Sequence, residues 1–187
     1  MHQDIPNSQF FVFKNNEAVF LPATADYAVS VTATGNGTFS LSFTLTDSAG
    51  SPAKVISFND VPITVASRAQ LSLKAPLVSE VLQLDVNGDG NTDFVIKANQ
   101  LPPTESYIAV LRSLIQSFHL KPALNIDLDV ILRAALDALQ RGRTTPVQGQ
   151  LAAFKAKLLA QSGKLLTASQ VAVLIEIANK ATASFSR

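Results

Sequence analysis

The sequence predicts an α+β protein of two domains, an antiparallel β-sandwich over residues 1–101 followed by a small four-helix bundle over residues 104–187. Two observations carry this prediction. Short segments in which polar and apolar residues alternate, separated by polar turns, fill the first half, which is typical of antiparallel strands. Apolar residues spaced three and four apart fill the second half, which is typical of amphipathic helices. Short strands with frequent polar turns fit a sandwich or a barrel; the sandwich is preferred and is expected to be immunoglobulin-like.

The first half contains eight predicted strands. The segment 38–46 alternates strictly between apolar residues and Thr or Ser, which indicates a half-buried strand. The segment 27–33 alternates in the same way, and the GNG tripeptide at 35–37 favours a tight turn, so these two strands are expected to form a hairpin. The complete set of predicted strands is 9–14, 17–21, 27–33, 38–46, 54–59, 68–74, 80–86 and 92–98.

The boundary between the two predicted domains lies at Pro102-Pro103. Residues 1–103 carry 5 basic against 9 acidic residues, a net charge of −4, whereas residues 104–187 carry 10 against 5, a net charge of +5. Nine of the 13 aromatic residues also precede residue 104. This change of charge and composition at a proline pair predicts a domain boundary.

Four helices are predicted after the proline pair, and the second is expected over 126–140. The other three are expected to begin at residues that suit a helix N-terminus. These residues are Thr104 or Ser106 for the first helix, Thr145 followed by Pro146 for the third, and Thr167 with Gln170, in the spacing of a capping box, for the fourth. The short connections imply antiparallel neighbours.

Composition excludes several classes of protein. The 187 residues are 47% hydrophobic and 16% charged, with a net charge of +1, which argues against disorder. The absence of cysteine excludes a disulfide scaffold, a thiolate zinc site and a cysteine nucleophile. No run of apolar residues approaches the ~18 that a membrane span needs, so no membrane-spanning segment is expected. The polar N-terminal residues do not have the pattern of a signal peptide. The abrupt beginning of the sequence at these residues predicts that the chain is part of a longer one.

The strongest chemical motif is D-x-N-x-D-G-x-x-D at 85–93. Ca²⁺ takes six to eight hard oxygen ligands from a loop that wraps the ion. The side chains of Asp85, Asn87 and Asp89 occupy loop positions 1, 3 and 5, and the main-chain carbonyl of Asn91 follows at position 7. Asp93, at position 9, is expected to close the ring directly or through water. The sequence therefore predicts a Ca²⁺ site built from these five residues.

The motif differs from a helical EF-hand in two respects. Position 12 is Ile96 instead of the bidentate Glu, and both flanks resemble strands. We therefore expect a loop in a β-hairpin with weak affinity, a Kd on the order of 10⁻⁴–10⁻³ M. The alternative is an Asn/Asp/Gly turn without metal. Three carboxylates within nine residues repel one another, which favours calcium, in a structural role.

Other chemistry is not supported, so an enzyme is not expected. The sequence contains no G-x-S-x-G and no phosphate-binding loop. His119, the one histidine away from the N-terminus, falls at a predicted helix end, where its imidazole can meet exposed carbonyls. Asp127 and Asp129 lie two apart at a predicted helix start and point to different sides.

Two binding functions are open to a chain without catalytic residues. The basic helical half offers no aromatic platform for stacking bases, so its cations are expected to be a solvated face and no nucleic-acid partner is expected. A carbohydrate-binding or cell-surface adhesion module remains the alternative. Phe10 and Phe11 are adjacent, so one must face away from the core, and Tyr27 is another candidate contact.

The helical half resembles a known type of module. Its marks are LRAALDALQRG at 132–142, QLAAF at 150–154, QSGK at 161–164 and LTASQVAVLI at 166–175. Over 107–181 these segments resemble the FIMAH-type C-terminal helical modules of secreted and surface-attached bacterial proteins, and the first half is similar in texture to the β-domains with calcium hairpins found in the same proteins. The marks are caps and core positions, so the resemblance implies architecture and placement instead of chemistry.

These observations together predict an accessory region of a larger exported bacterial protein. It would stabilise, space or attach a domain upstream in the same polypeptide, with Ca²⁺ as its cofactor. An extracellular or cell-surface location follows from the calcium loop and the resemblance. Cell-wall or extracellular polysaccharide is the candidate external partner.

Overall fold

The computed structural model describes residues 8–13, 16–21, 25–47, 49–74, 77–78 and 80–185. It is an α+β chain with antiparallel strands followed by four helices. The strands are β1 (Gln9–Phe13), β2 (Asn16–Phe20), β3 (Tyr27–Thr32), β4 (Gly37–Thr46), β5 (Pro52–Ile63), β6 (Arg68–Lys74), β7 (Leu77–Val78), β8 (Val81–Asp85) and β9 (Phe94–Lys97). The helices are α1 (Thr104–Ser117), α2 (Pro122–Gln140), α3 (Thr144–Gln161) and α4 (Ala168–Ala183).

The strands form three antiparallel sheets. The largest has the order β3-β6-β8-β9, with β7 also pairing with β6. The long strands β4 and β5 pair with each other, as do β1 and β2. All eight predicted strands are present, 68–74 with the predicted ends and the other seven with shifted ends, and β7 is an addition.

The predicted hairpin of 27–33 with 38–46 is wrong. β3 pairs with β6, and β4 pairs with β5. The turn after β4 explains the difference, because the Asp47 carboxylate accepts the main-chain N–H groups of Ala49 and Ser51, both at 2.9 Å. This turn lets the 12-residue β5 fold directly back along β4, while the segment before β4 crosses to another sheet.

Alternation along the largest sheet separates a buried face from an exposed one. The strand β6 shows this most clearly, with Ala69, Leu71 and Leu73 buried and the residues between them exposed. Buried side chains of β5, β6, β8, β9 and all four helices form one contiguous apolar cluster. The sheets and helices therefore share their core.

The four helices contact one another in a cycle, since α1 and α3 each contact both α2 and α4. The predicted capping box of α4 is confirmed: Gln170 N donates to Thr167 Oγ1, and Thr167 N donates to Gln170 Oε1. The other predicted caps are wrong. Pro103 and Arg143 hold the capping positions of α1 and α3, without a side-chain cap.

The second helix starts earlier than predicted, because Pro122 is its first residue. Proline suits this position, since its missing N–H would have no helical partner there. Asp127 and Asp129 are therefore the sixth and eighth residues of α2. Their carboxylates do point to different neighbours, Asp127 to Lys157 of α3 and Asp129 to Arg112 of α1.

A bulge in β5 joins the sheet to the helices. Phe39 pairs with Val61 and Leu41 with Phe58, so two residues of β5 face Ser40 alone. Asp60, one of the two, has a φ of 56°. Its carbonyl accepts from Tyr107 Oη at 3.0 Å, and its carboxylate pairs with Lys180 Nζ at 2.6 Å.

Candidate metal centre

The predicted calcium loop connects β8 to β9. Asp85 is the last residue of β8, and Leu84 pairs with Phe94, the first residue of β9. A main-chain hydrogen bond from Asp93 N to Leu84 O, 2.9 Å long, closes the loop. The prediction that strands flank the motif is confirmed.

Asp85 organises the loop from its base. The residue is only 8% exposed, and its two carboxylate oxygens accept separate main-chain N–H groups: Oδ1 from Gly88 at 2.7 Å and Oδ2 from Gly90 at 2.8 Å. Hydrogen bonds of this kind, to a charged acceptor, are the stronger ones in proteins. They fold the chain around the first carboxylate of the motif.

The other predicted ligands fold the rim of the loop. Asn87 Oδ1 accepts from Asp89 N at 2.9 Å, Asp89 Oδ1 from Asn91 N at 2.8 Å, and Asp93 Oδ2 from Val86 N at 2.8 Å. The main-chain hydrogen bond from Asn91, followed by the side-chain bond from Asn87, lowers the pKa of Asp89. Asp89 therefore stays ionised at neutral pH.

Two glycines give the loop its shape. Gly90, at position 6, has a φ of 89°, which matches the sharp turn expected there. Gly88 has a φ of 77°, and a Cβ added to it would lie 2.5 Å from the main-chain oxygen of Ala66. The sequence motif does not reveal this role of Gly88, because Ala66 lies in a different connection between strands.

Ala66 belongs to the turn between β5 and β6, and this turn supports the loop through hydrogen bonds to Val86. The buried hydroxyls of Thr64 and Ser67 both donate to Val86 O, at 3.2 and 2.8 Å. Sequence reasoning missed both residues, since they precede the loop by about twenty positions and belong to no local motif. They fix the loop to the connection between two different sheets.

Position 12 of the motif cannot supply a ligand. Ile96 is fully buried in the apolar cluster, so the closing role that Glu plays in an EF-hand would fall to Asp93 or to water. The donor atoms present at 85–93 are carboxylate, amide and main-chain oxygens, the hard ligands that Ca²⁺ prefers. Each carboxylate oxygen bonded to one N–H retains a further lone pair.

The structure places all five predicted residues in one loop but does not bring their carboxylates to a common point. Within the described ranges, no group of three or more His, Asp or Glu side chains is arranged to hold a metal ion. The nearest basic residue in register is Arg68, opposite Asp85, and it forms no ion pair with it. The chemistry of the donors fits Ca²⁺, whereas their convergence stays a prediction.

The other residues that the sequence singled out lie away from the calcium loop or outside the described side chains. His119 follows α1 with a φ of 50°, and its Nδ1 lies 2.7 Å from Ser117 O, as expected for an imidazole at exposed carbonyls. The side chains of Phe10 and Phe11 lie outside the described residues. Tyr27 is half-buried and packs against the apolar cluster, away from the exposed sheet face.

None of the described helices is long and apolar enough to cross a membrane. Comparison with family models, with curated proteins and with solved structures yields no match for the chain.

Proposed function

We propose that this chain is a non-catalytic accessory region of a larger exported bacterial protein, stabilised by a structural Ca²⁺ ion in the loop 85–93. One observation carries the calcium proposal. Asp85 is a nearly buried carboxylate that draws two loop amides around itself. Asp89 and Asp93 follow within the same nine residues, without a basic partner among the described residues.

The energetic argument concerns this local excess of negative charge. A buried carboxylate must be compensated by hydrogen bonds, by a positive charge or by a metal. Main-chain N–H groups supply part of the compensation here but leave three negative charges close together. A divalent cation would offset two of these three charges, and Ca²⁺ tolerates irregular sets of oxygens and water better than Mg²⁺ does.

The proposed consequence is mechanical. Because Thr64 and Ser67 tie Val86 to the β5–β6 turn, an ion in the loop would hold the β8–β9 hairpin to the connection between the two sheets. Weak sites of this kind suit the high calcium concentrations outside cells, which supports an extracellular or cell-surface location. Stabilising, spacing or attaching a neighbouring domain is the function that this arrangement supports best.

The proposal includes a finer architecture. We infer that residues 1–101 form an immunoglobulin-like sandwich and residues 104–187 a four-helix module of the FIMAH type. Supporting observations are the crossing of the chain between sheets after β3 and the cyclic contacts of the helices.

Thermal unfolding in millimolar CaCl₂ and in EDTA tests the calcium proposal. At ten times the Kd, Ca²⁺ should stabilise the folded state by about 1.4 kcal/mol, which corresponds to a rise in Tm of roughly 3–5 °C for a chain of this size. The variant Asp89→Asn should lose this rise, because it keeps the oxygen that accepts from Asn91 N but removes the charge.

The matched control is Asp137→Asn, which removes the same charge from an exposed position on α2. It should retain the full response to calcium. An equal Tm in CaCl₂ and EDTA for the wild type would reduce the loop to a turn held by side-chain hydrogen bonds. MgCl₂ should give a smaller rise than CaCl₂.

Carbohydrate binding or adhesion is the second candidate function. A separate observation favours it, the polar composition of the exposed face of the largest sheet.

A further inference from the structure

The exposed face of the largest sheet carries a shallow hollow. A cross-strand row begins with Ser30 opposite Gln70 and continues with Gln70 opposite Gln83. In the neighbouring row, Ala28 lies opposite Ser72. With Val81, these side chains border a cavity of about 220 Å³.

The lining of this hollow has a specific chemistry. Gln70 and Gln83 each present an amide that both donates and accepts hydrogen bonds, and Ser30 and Ser72 add two hydroxyls. None of these four side chains makes a hydrogen bond within the part of the chain that the structure describes. Val81 and Ala28 provide small apolar surfaces between them. An uncharged ligand portion rich in hydroxyl groups fits such a lining.

Three cations lie on the same face around the hollow. Arg68, Lys74 and Lys97 are exposed on β6 and β9, and none forms an ion pair with a described residue. Arg68 and Lys74 lie six residues apart on one strand, a span of about 20 Å at ~3.4 Å per residue. Cations therefore lie on both sides of the polar row, along the direction of β6.

This clustering contrasts with the acidic character of the first half of the chain. Residues 1–103 contain five basic residues against nine acidic ones. Three of the five lie on this one face, Lys54 pairs with Glu80 at 2.7 Å, and Lys14 lies outside the described residues. Two acids lie near the ends of β6: Asp85, opposite Arg68, directs its oxygens to loop amides, and the exposed Asp26 precedes β3 at the end where Lys74 lies. Exposed basic side chains therefore outnumber exposed acidic ones on this face.

We propose that this face binds an acidic polysaccharide. The amides and hydroxyls of the hollow would take the hydroxyl groups of a sugar ring, and the flanking cations would pair with carboxylates on neighbouring sugars. Charge complementarity selects an anionic ligand. The face shows no described exposed aromatic side chain that could stack bases, which argues against a nucleic acid. No residue of the calcium loop lines the hollow itself, but the flanking Arg68 lies opposite Asp85.

Affinity electrophoresis in EDTA tests the proposal, with polygalacturonate as the acidic polymer and neutral galactan as its uncharged counterpart. EDTA prevents calcium from cross-linking the acidic polymer and makes the result independent of the calcium proposal. Polygalacturonate should retard the wild type and galactan should not. The double variants Gln70→Ala/Gln83→Ala and Arg68→Gln/Lys97→Gln should each bind about fivefold more weakly or worse.

The matched control is Arg141→Gln/Arg143→Gln, which removes two exposed charges from the connection between α2 and α3. Its binding should change by less than about twofold. An unchanged Tm would confirm that each variant is folded. The proposal is overturned by absence of retardation, by equal retardation in galactan, by equally tight binding of single-stranded DNA, or by an equal loss in the control.

Discussion

Gly88 is the residue on which the shape of the calcium loop depends most directly. We expect Gly88→Ala to destabilise the fold by about 2–3 kcal/mol, because alanine resists the positive φ and its Cβ would meet Ala66 O at 2.5 Å. Urea unfolding measures the change. Because the main-chain oxygen of Ala66 is not the end of a flexible side chain, the contact can be relieved only by moving one of the two connections.

Gly35 provides the control for that substitution. Its φ is not positive, and a Cβ added to it would have no other atom within 4 Å, so Gly35→Ala should change the free energy of unfolding by no more than about 0.5 kcal/mol. Equal effects at both glycines would contradict the close approach of the loop to the β5–β6 turn.

At the scale of single elements, α4 and α3 offer a direct comparison of true and apparent helix caps. Thr167→Ala should cost about 1 kcal/mol, because it removes the oxygen that accepts from Gln170 N. Thr145→Ala should cost almost nothing, since Thr145 lies inside α3 and caps nothing. Chemical denaturation of the two variants measures both values, and a larger loss at Thr145 would place the start of α3 where the sequence pattern predicted it.

The pairing of α1 with α2 depends on a charged cluster. Burial raises the pKa of Asp129, but the hydrogen bond and charge of Arg112, joined by Arg133, outweigh it, so the pKa is lowered in the folded state. A lowered carboxyl pKa contributes stability above the unfolded pKa, and that stability is lost as the pH falls through the folded value.

Asp129→Asn should therefore destabilise the fold by about 1–2 kcal/mol near neutral pH and by progressively less as the pH falls. Unfolding of wild type and variant across an acid series measures the difference. Asp137→Asn, which removes an unpaired charge from the same helix, should show no such trend. A loss at Asp129 that does not change with pH would mean that packing, not charge, joins α1 to α2.

Element types were more predictable from the sequence than element partners. Alternation marks a strand such as β4, and a spacing of three and four marks a helix such as α2, because both patterns are local. The choice of which strand pairs with which depends on residues far apart in the sequence. The GNG tripeptide at 35–37 resembles a hairpin turn, yet Asp47 closes the turn that joins β4 to β5. Thr145 followed by Pro146 likewise has the composition of a helix start, and α3 begins earlier without a side-chain cap.

At the scale of the whole molecule, the candidate site also combines features that the local sequence predicts with features that depend on tertiary contacts. The motif at 85–93 located the loop, its flanking strands and the turn at Gly90, because all of these lie within one segment. The support from Thr64 and Ser67 depends on tertiary contact and has no counterpart in the motif. Likewise, the polar sheet face exists only after β3, β6 and β8 are placed side by side.

The whole molecule shares one apolar cluster, which bears on how it unfolds. Tyr107 is 1% exposed and donates to Asp60 O from the bulge of β5, and Lys180 holds the carboxylate of the same residue. Burial, followed by the charge of Asp60, raises the pKa of Tyr107, so its hydroxyl keeps the proton that it donates. Unfolding of the sheets should therefore destabilise the helices, and unfolding of the helices should destabilise the sheets.

We expect sheet and helices to unfold in one cooperative transition, with coincident loss of the helical far-UV and tyrosine near-UV circular dichroism signals. Tyr107→Phe keeps the packing but leaves Asp60 O without its donor, so it should lower the stability seen by both signals equally, by about 1 kcal/mol. Two separated transitions, with only one shifted by the substitution, would mean that the two halves are energetically independent despite their shared core. Coincident transitions would mean that stabilisation at the calcium loop also raises the stability of the helices, because a cooperative unit unfolds as a whole.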